Sequence, residues 1–327
     1  MVSFWCWVVI VAGVGFLCGY VYRWRGVPFV GAWRSPFVGR APQYAIGVRV
    51  GSSPSDLADP PGATNPVLTA DAVTDVRAAF VADPFLFRHG DDWIMFMEVM
   101  NRARHCGEIG HALSTDGVKW SYRGIVLREP FHLSYPCILE DRGEIWMIPE
   151  TAGDNSVRLY RATEFPAQWR FVTRLIEGFS FTDASVFQHG DSWWMFVSRN
   201  RSEDLLLYYA DALTGPWCPH PRSPVVYARP EKARCAGRPI HLNGWLIRFA
   251  QDCKKEYGTS VRAFRIDRLD RQEYLESEME DSAILHASGR GWNESGMHHI
   301  DFHVCADGPC LAAVDGWRMT RAFGWKY

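Results

Sequence analysis

The stretch that decides the fold is FVADPFLFRHGDDWIMFME, residues 80–98. An apolar run at 84–87 is followed by a polar turn at 88–92 and by a second apolar run rich in strand-favouring residues, which predicts a β-hairpin. Asp83 precedes the first strand and Glu98 follows the second. Because a hairpin returns to the edge from which it started, we expect these two acids to lie close together.

The hairpin pattern returns four more times along the chain. The copies are FHLSYPCILEDRGEIWMIPE (131–150), FSFTDASVFQHGDSWWMFVS (179–198), CAGRPIHLNGWLIRFAQD (235–252) and MHHIDFHVCADGPCLAAVDG (297–316). A repeat of roughly 50 residues is typical of a four-stranded propeller blade. The sequence therefore predicts an all-β fold, a five-bladed β-propeller, over residues 44–327.

The composition agrees with such a domain. Aromatic residues make up 14% of the chain and include 15 Trp, as expected where large rings pack between sheets or bind sugars. The formal net charge of -2 gives no support for a nucleic-acid partner.

The chain begins with an uncharged apolar run, Phe4–Tyr22, that is long enough to cross a bilayer as a helix. Its ends carry Trp and Tyr, and no small-residue cleavage site is evident, so we expect an uncleaved single-pass anchor at residues 1–22. Arginines follow this run, which by the positive-inside tendency places the globular domain in the cytoplasm. Residues 23–43 are expected to form a linker. Tyr44–Val50 is predicted to be a strand that closes the ring by completing the C-terminal blade.

The candidate site follows from the repeats, because the innermost strand of each blade lines a central funnel. The residues that begin the repeats, expected to converge on one mouth, are Asp83, Ser134, Tyr135, Asp183, Arg238 and His299. Glu98 and Glu150 end the second strands and return to the same face. In the fifth repeat His299, Asp301 and His303 alternate with apolar residues, which places them on one face of a strand.

These residues also have structural interpretations. Asp83 precedes a proline and could cap a turn, and the two glutamates could bond backbone groups where blades meet. Arg238 either neutralises buried acids or binds an anionic substrate group. Adjacent residues such as His298 and His299 face opposite sides of a strand, which argues against a three-histidine metal site. No cofactor is predicted, although a single channel ion near His299 would fit such a funnel.

Several short motifs resemble a known family. They are ADPF at 82–85, FME at 96–98, HLSYP at 132–136, IPE at 148–150 and QD at 251–252. Together they resemble the propeller domain at the N-terminus of plant glucosamine inositolphosphorylceramide transferases, and similar domains of bacterial proteins linked to surface-polysaccharide synthesis. The resemblance covers about residues 44–316. More distantly, the blade pattern resembles five-bladed glycoside hydrolases of the arabinanase and invertase type, which implies a sugar-binding funnel lined with acids.

Those hydrolases use an acid in blade one as base or nucleophile, an aspartate in blade two that orients or tunes, and a glutamic acid in blade three as proton donor. Here Asp83 matches the first, Ser134-Tyr135 stands in place of the second, and Asp183 replaces the third. The resemblance therefore implies Asp83 and Asp183 as an acid/base pair, with Glu150 as a substitute donor. The remaining candidates, expected to bind substrate, are Glu98, Ser134, Tyr135, Arg238, His299 and Asp301.

Three functions stay open at this point. The first is a carbohydrate-active enzyme that makes or cleaves a glycosidic bond in a cell-surface glycan or glycolipid, within polysaccharide or glycolipid biosynthesis. The second is a non-catalytic glycan-binding module that presents substrate to a partner glycosyltransferase, because a separate C-terminal domain of the plant proteins resembles the glycosyltransferase. The third is a scaffold whose funnel has lost its function. No GxGxxG motif follows a strand and opens a helix, so a transfer reaction would use the funnel alone.

Overall fold

Alternating apolar and polar residues form antiparallel strands that build five sheets in a computed structural model of the protein. The structure describes residues 38–200, 202–305 and 310–323, and residues 41–320 belong to one compact unit. The five sheets are the blades of a β-propeller, which confirms the predicted all-β, five-bladed fold. Among the described residues, helix is limited to three short 3-10 segments, Ala70–Ala72, Ala152–Asp154 and Gly291–Asn293.

The strands follow one another around the ring, with the first strand reserved for the last blade. That strand is β1 (Val38–Gly51). Blade 1 contains β2 (Ala78–His89), β3 (Asp92–Asn101), β4 (Cys106–Ser114) and β5 (Ser121–Leu127). Blade 2 contains β6 (Ser134–Asp141), β7 (Glu144–Glu150), β8 (Ser156–Glu164) and β9 (Gln168–Glu177). Blade 3 contains β10 (Phe181–His189), β11 (Ser192–Arg199), β12 (Leu205–Ala210) and β13 (Cys218–Pro219).

Blade 4 has a divided inner strand. It contains β14 (Arg234–Cys235) and β15 (Ile240–Leu242), which both pair with β16 (Trp245–Asp252), then β17 (Ser260–Leu269), β18 (Tyr274–Glu278) and the short β19 (Leu285–His286). Blade 5 contains β20 (Ile300–His303) and β21 (Cys310–Phe323). The five predicted hairpins are therefore the inner hairpins of the five blades.

The ring closes through β1, which pairs with β21 as the outer strand of blade 5. This confirms the predicted closure, although β1 begins at Val38 rather than Tyr44 and so takes in the end of the predicted 23–43 linker. The predicted membrane segment Phe4–Tyr22 lies outside the described residues. Within the part of the chain that is described, no helix has the length and apolarity required to span a bilayer.

The inner strands of the blades share a distortion that aims side chains at the axis. Asp83, Tyr135 and Asp183 have left-handed backbone angles, with φ of 51°, 46° and 53°, and the ladder register shifts at each of them. Gly237 takes the equivalent place in blade 4, with φ of 135°. A left-handed non-glycine residue costs roughly 1–2 kcal/mol, so surrounding contacts must hold these bulges in place.

Two layers of polar contacts on the axis tie the blades together. In the middle layer, the Tyr135 hydroxyl accepts the Gly237 N–H at 2.6 Å and lies 2.7 Å from Ser185 Oγ. In a deeper layer, the Arg238 guanidinium lies 2.5 Å and 2.9 Å from the carboxylate oxygens of Asp301. We call this second contact the axial ion pair.

The axial ion pair joins four of the five blades. Arg238 donates to the carbonyl oxygens of Ile138 at 3.0 Å and Leu86 at 2.9 Å, and Asp301 accepts the Leu86 N–H at 2.6 Å. Asp301 is fully buried and the Arg238 side chain is 24% exposed. The pair therefore fixes the backbone of blades 1 and 2 to residues of blades 4 and 5.

Candidate functional site

Four carboxyl groups from three neighbouring blades lie at one end of the axis. They are Asp83 and Glu98 of blade 1, Glu150 of blade 2 and Asp183 of blade 3. Each glutamate lies in the second strand of its blade, opposite the bulge of the first strand, because Ala82 pairs with Glu98 and Ser134 pairs with Glu150. Asp83, Glu98 and Asp183 are buried, and the Glu150 side chain is only 10% exposed. The structure thus brings together four of the predicted site residues.

Burial and the neighbouring acids raise the pKa of Asp83, Glu98 and Glu150. The net pKa of Asp83 is raised to about 7. Burial is the main cause and the neighbouring acids add to it, whereas His298 lowers the pKa. Burial and the charge of Asp83 raise the pKa of Glu98 well above its usual value, and burial together with Asp183 does the same to Glu150. A raised carboxyl pKa is the property that a proton donor needs near neutral pH.

Asp183 differs because two donors hold its carboxylate. Arg234 Nε donates to Asp183 Oδ2, and Gln251 Nε2 donates to the same oxygen at 3.2 Å. The guanidinium of Arg234 stacks on Tyr257 at 4.9 Å, and its Nη2 lies 3.8 Å from Glu150 Oε2. Asp183 and Arg234 therefore form an ion pair beside the Glu150 carboxyl group.

Asp83 lies against residues of the last blade. Asp315 Oδ2 accepts the Asp83 N–H at 2.9 Å, and Asp315 Oδ1 lies 2.6 Å from His298 Nδ1. The other ring nitrogen, His298 Nε2, is 3.7 Å from Asp83 Oδ1. Burial lowers the pKa of His298, but Asp315 and Asp83 raise it more, so the net pKa lies above the usual value. Blade 5 thus supplies an imidazole whose protonated form is favoured by the carboxylates beside it.

Two carboxylate oxygens at the mouth remain available to a ligand. Glu98 Oε1 and Glu150 Oε2 are buried and have no hydrogen-bond partner among the described residues. His132 Nε2 approaches Glu98 Oε1 only to 3.5 Å, and burial lowers the pKa of this histidine. Buried acceptors without donors are costly, and sugar hydroxyl groups would satisfy them.

A metal ion fits the mouth less well. Among the described residues, one group of three offers ligand atoms within 4.8 Å of one another, namely Asp83, His298 and Asp315. The imidazole Nδ1 and the Asp315 carboxylate already contact each other at 2.6 Å, so an ion would have to break that bond. This donor set favours an internal ion pair over a metal centre.

The remaining predicted residues lie deeper. Ser134 is buried beside Glu150, and the Tyr135 side chain is in the middle layer of the axis. His299 is also there, with Nε2 bonded to the Pro84 carbonyl oxygen at 3.0 Å and its pKa lowered to about 4 by burial.

Arg238 does not lie at the mouth, where the repeats predicted it, because its side chain forms the axial ion pair with Asp301. Gly237, not Arg238, occupies the place of Asp83 in its blade. The Arg238 side chain instead contacts Leu86 and Ile138, each three positions beyond the bulge of its strand. Arg238 therefore neutralises a buried acid, which was one of its two predicted roles.

Sequence reasoning did not assign several residues of the mouth to the site, although it quoted Gln251 as part of a family motif. They are Tyr44, Arg234, Gln251, Tyr257, His298 and Asp315. Gln251 and Asp315 are the next-to-last residues of the fourth and fifth hairpin copies, 235–252 and 297–316, close to the places of Glu98 and Glu150 in theirs. The same alignment could therefore have pointed to them. His298 precedes β20, and strand alternation therefore does not apply to it.

Comparison with known proteins places the chain among sugar-related families. A family profile described as "Glucosamine inositolphosphorylceramide transferase 1, N-terminal" matches residues 37–317. Glucosamine inositolphosphorylceramide transferase 1 of Oryza sativa subsp. japonica is 34% identical over 341 residues, covering 95% of this chain and 45% of the rice protein. The protein of that name from Arabidopsis thaliana is 34% identical over 302 residues, covering 85% of this chain and 39% of its own. The chain thus spans less than half the length of these plant relatives.

Two glycoside hydrolases are among the solved structures with a similar fold. An exo-1,5-alpha-L-arabinanase from a bovine ruminal metagenomic library has a TM-score of 0.53 at 10% identity, covering 75% of this chain and 94% of its own. A glycosyl hydrolase from Bacteroides ovatus has a TM-score of 0.52 at 13% identity, covering 78% and 92%. At such identities the likeness shows the fold alone. The family match, by contrast, covers nearly the whole propeller with its acid-lined mouth, and the chain belongs to the family of the N-terminal domain of glucosamine inositolphosphorylceramide transferase 1.

Proposed function

We propose that the mouth of the propeller binds a sugar of a cell-surface glycan or glycolipid and makes or cleaves its glycosidic bond. The observation that supports this is a pair of buried carboxyl groups in adjacent blades with opposite surroundings. Asp83 faces the His298 cation, whereas burial and Asp183 raise the pKa of Glu150. Glycosidic chemistry by two carboxyl groups needs one that is ionised and one that carries a proton.

The surroundings suggest a role for each group. Asp83 is the base or nucleophile, and Glu150 is the donor that protonates the departing oxygen. The sequence favoured Asp183 as donor, but its carboxyl group is held by Arg234 and Gln251, and its nearness helps to raise the pKa of Glu150. Glu98, with one unpartnered oxygen, accepts a hydroxyl group of the sugar.

The substrate class follows from the family. The plant relatives are named for inositolphosphorylceramide, and we propose that this chain acts on a glycosylated lipid of related chemistry. The apolar run Phe4–Tyr22 would anchor the propeller as a single-pass membrane protein, with the arginines after it placing the domain on the cytoplasmic side. Protease protection in sealed vesicles tests this, since a cytoplasmic domain is digested without detergent and a lumenal one is not.

A second function has its own support. The chain matches less than half of the plant relatives, so catalysis in those proteins could belong to the part that it does not match. On this alternative the funnel is a glycan-binding module that presents the lipid-linked sugar to a partner glycosyltransferase. The unpartnered oxygens of Glu98 and Glu150 serve binding as well as catalysis.

The experiment that separates these functions uses the full chain in detergent with aryl glycosides and membrane glycolipid extracts. We expect Asp83→Asn and Glu150→Gln each to lower turnover by about 10²–10⁴-fold. Asp191→Asn is the matched control, because Asp191 is exposed in the turn at the far end of the blade 3 hairpin. Sugar binding without turnover would replace the enzyme by the binding module, and absence of both would refute both functions.

A further inference from the structure

His298, which is not one of the two proposed catalytic acids, is enclosed at the mouth. The His298 side chain is 4% exposed and lies between two carboxylates, with Nδ1 2.6 Å from Asp315 and Nε2 3.7 Å from Asp83. We propose that His298, clamped by Asp315, is a positioning residue that favours the anionic, reactive form of the Asp83 carboxyl group. This inference rests on the proposed function, because it gives Asp83 the role of base or nucleophile.

Asp315 is the clamp because its two oxygens bind three groups. Oδ1 accepts from the His298 ring at 2.6 Å and lies 3.3 Å from the His298 backbone nitrogen, while Oδ2 accepts the Asp83 N–H at 2.9 Å. With Nδ1–H committed to Asp315, the second N–H of the imidazolium faces Asp83. One carboxylate therefore fixes both the orientation of the ring and the backbone of the acid that the ring serves.

The groups around His298 leave it as the cation nearest to Asp83. The ring of Tyr44 from β1 lies 4.9 Å away, and that of Tyr257, in the loop between β16 and β17, lies 5.4 Å away. Burial raises the pKa of both tyrosines, so they are neutral. His299 is neutral at physiological pH, since burial lowers its pKa to about 4.

The more distant charges do not replace His298. Asp183 acts on both Asp83 and His298, and Arg234 acts on Asp83, but these two residues pair directly with each other. A cation within about 4–6 Å of a carboxylate lowers its pKa by about 1–3 units, which opposes the rise caused by burial and crowding. Without His298, the pKa of Asp83 would rise further above about 7, and less of the group would be ionised at neutral pH to act as base or nucleophile.

Gly258 makes this enclosure possible. Its φ is 62°, and a Cβ atom at this position would lie 2.4 Å from His298 Cβ. The Tyr257 loop therefore covers the imidazole and keeps water from screening its charge.

The test uses NMR titration of the full chain and needs no substrate. In the wild type, ¹⁵N shifts should show His298 doubly protonated at pH 7, and the ¹³C titration of the Asp83 carboxyl group is assigned by its loss in Asp83→Asn. In His298→Gln the Asp83 midpoint should rise by about 1–3 pH units. His286→Gln, which changes an exposed histidine of β19, should leave it in place.

Several results would overturn the proposal. A neutral His298 in the wild type would do so, and this measurement stands even if a variant fails to fold. An unchanged Asp83 midpoint in a folded His298→Gln protein would show a structural role only. In turnover assays, the acid limb of the pH–rate profile should move to higher pH by the same 1–3 units in His298→Gln. If no form of the protein shows turnover, the proposed function fails. The NMR titrations still decide in that case whether His298 controls the charge of Asp83.

Discussion

Replacing Asp301 by asparagine tests how much the axial ion pair contributes to the propeller. The substitution keeps the shape of the side chain but removes the charge that balances Arg238. The guanidinium side chain is only 24% exposed, and the distance from its Nε to the carboxylate is 2.5 Å. Breaking a buried pair by removing one partner costs about 3–5 kcal/mol, because the other charge stays buried and unpaired.

The expected loss is large enough to measure in two ways. Urea unfolding followed by tryptophan fluorescence should give a free energy of unfolding lower by about 3–5 kcal/mol. For a domain of this size each kcal/mol lowers Tm by about 2–4 °C, so the expected fall is about 6–20 °C. Glu144→Gln is the control, because the Arg161–Glu144 pair of 2.8 Å has side chains that are 33% and 47% exposed. Exposed pairs contribute at most about 1 kcal/mol.

The double variant Arg238→Met/Asp301→Asn completes the test. Because the lone charge disappears with its partner, the double variant should lose less than the sum of the two single variants by at least about 1 kcal/mol. Additive losses, or a single-variant loss no larger than that of Glu144→Gln, would refute the view that this pair joins the blades.

Three further predictions concern residues that lie along the axis of the propeller. Because the folded-state pKa of Asp83 is about 7 against an ordinary 3.8, folded protein retains a proton that unfolded protein releases. The free energy of unfolding should therefore fall as pH rises between these values, and urea titrations of Asp83→Asn should show a smaller fall. Tyr135→Phe removes the acceptor of the Gly237 N–H and a bond to Ser185, and should cost about 1–3 kcal/mol in the same assay. Gly237→Ala should prevent folding, as judged by circular dichroism, because the new Cβ would lie 1.7 Å from a carbonyl oxygen. Gly90→Ala is the control, because open space surrounds that position, and it should lower the free energy of unfolding by only about 1–2 kcal/mol.

The fold was predictable because each blade repeats the same hairpin signal. Alternation and turn residues define the inner strands of all five blades, and the closing role of β1 follows from the need to leave no unpaired edge. The start of β1 at Val38 was not predictable, because residues 38–43 show little periodicity.

The mouth was predictable only where the repeats align. Asp83, Asp183, Glu98 and Glu150 hold equivalent positions, and the structure brings them together. The alternation of apolar and polar residues could not place Arg238, because the left-handed bulge at Gly237 changes the direction in which the following side chain points. The partners of the acids come from distant parts of the sequence, and spacing carries no information about such contacts.

The closure of the ring determines when, during synthesis, the residues of the mouth can meet. Asp83 is separated from Asp315 by 232 positions, so a ribosome adding about 5–20 residues per second makes the acid roughly 12–46 s before the residue that clamps its backbone. Throughout that interval the blade 1 acids exist without blade 5. The contacts that Asp315 and His298 make with Asp83 therefore form only when synthesis has reached β21, and a truncated chain would carry the acids without these partners.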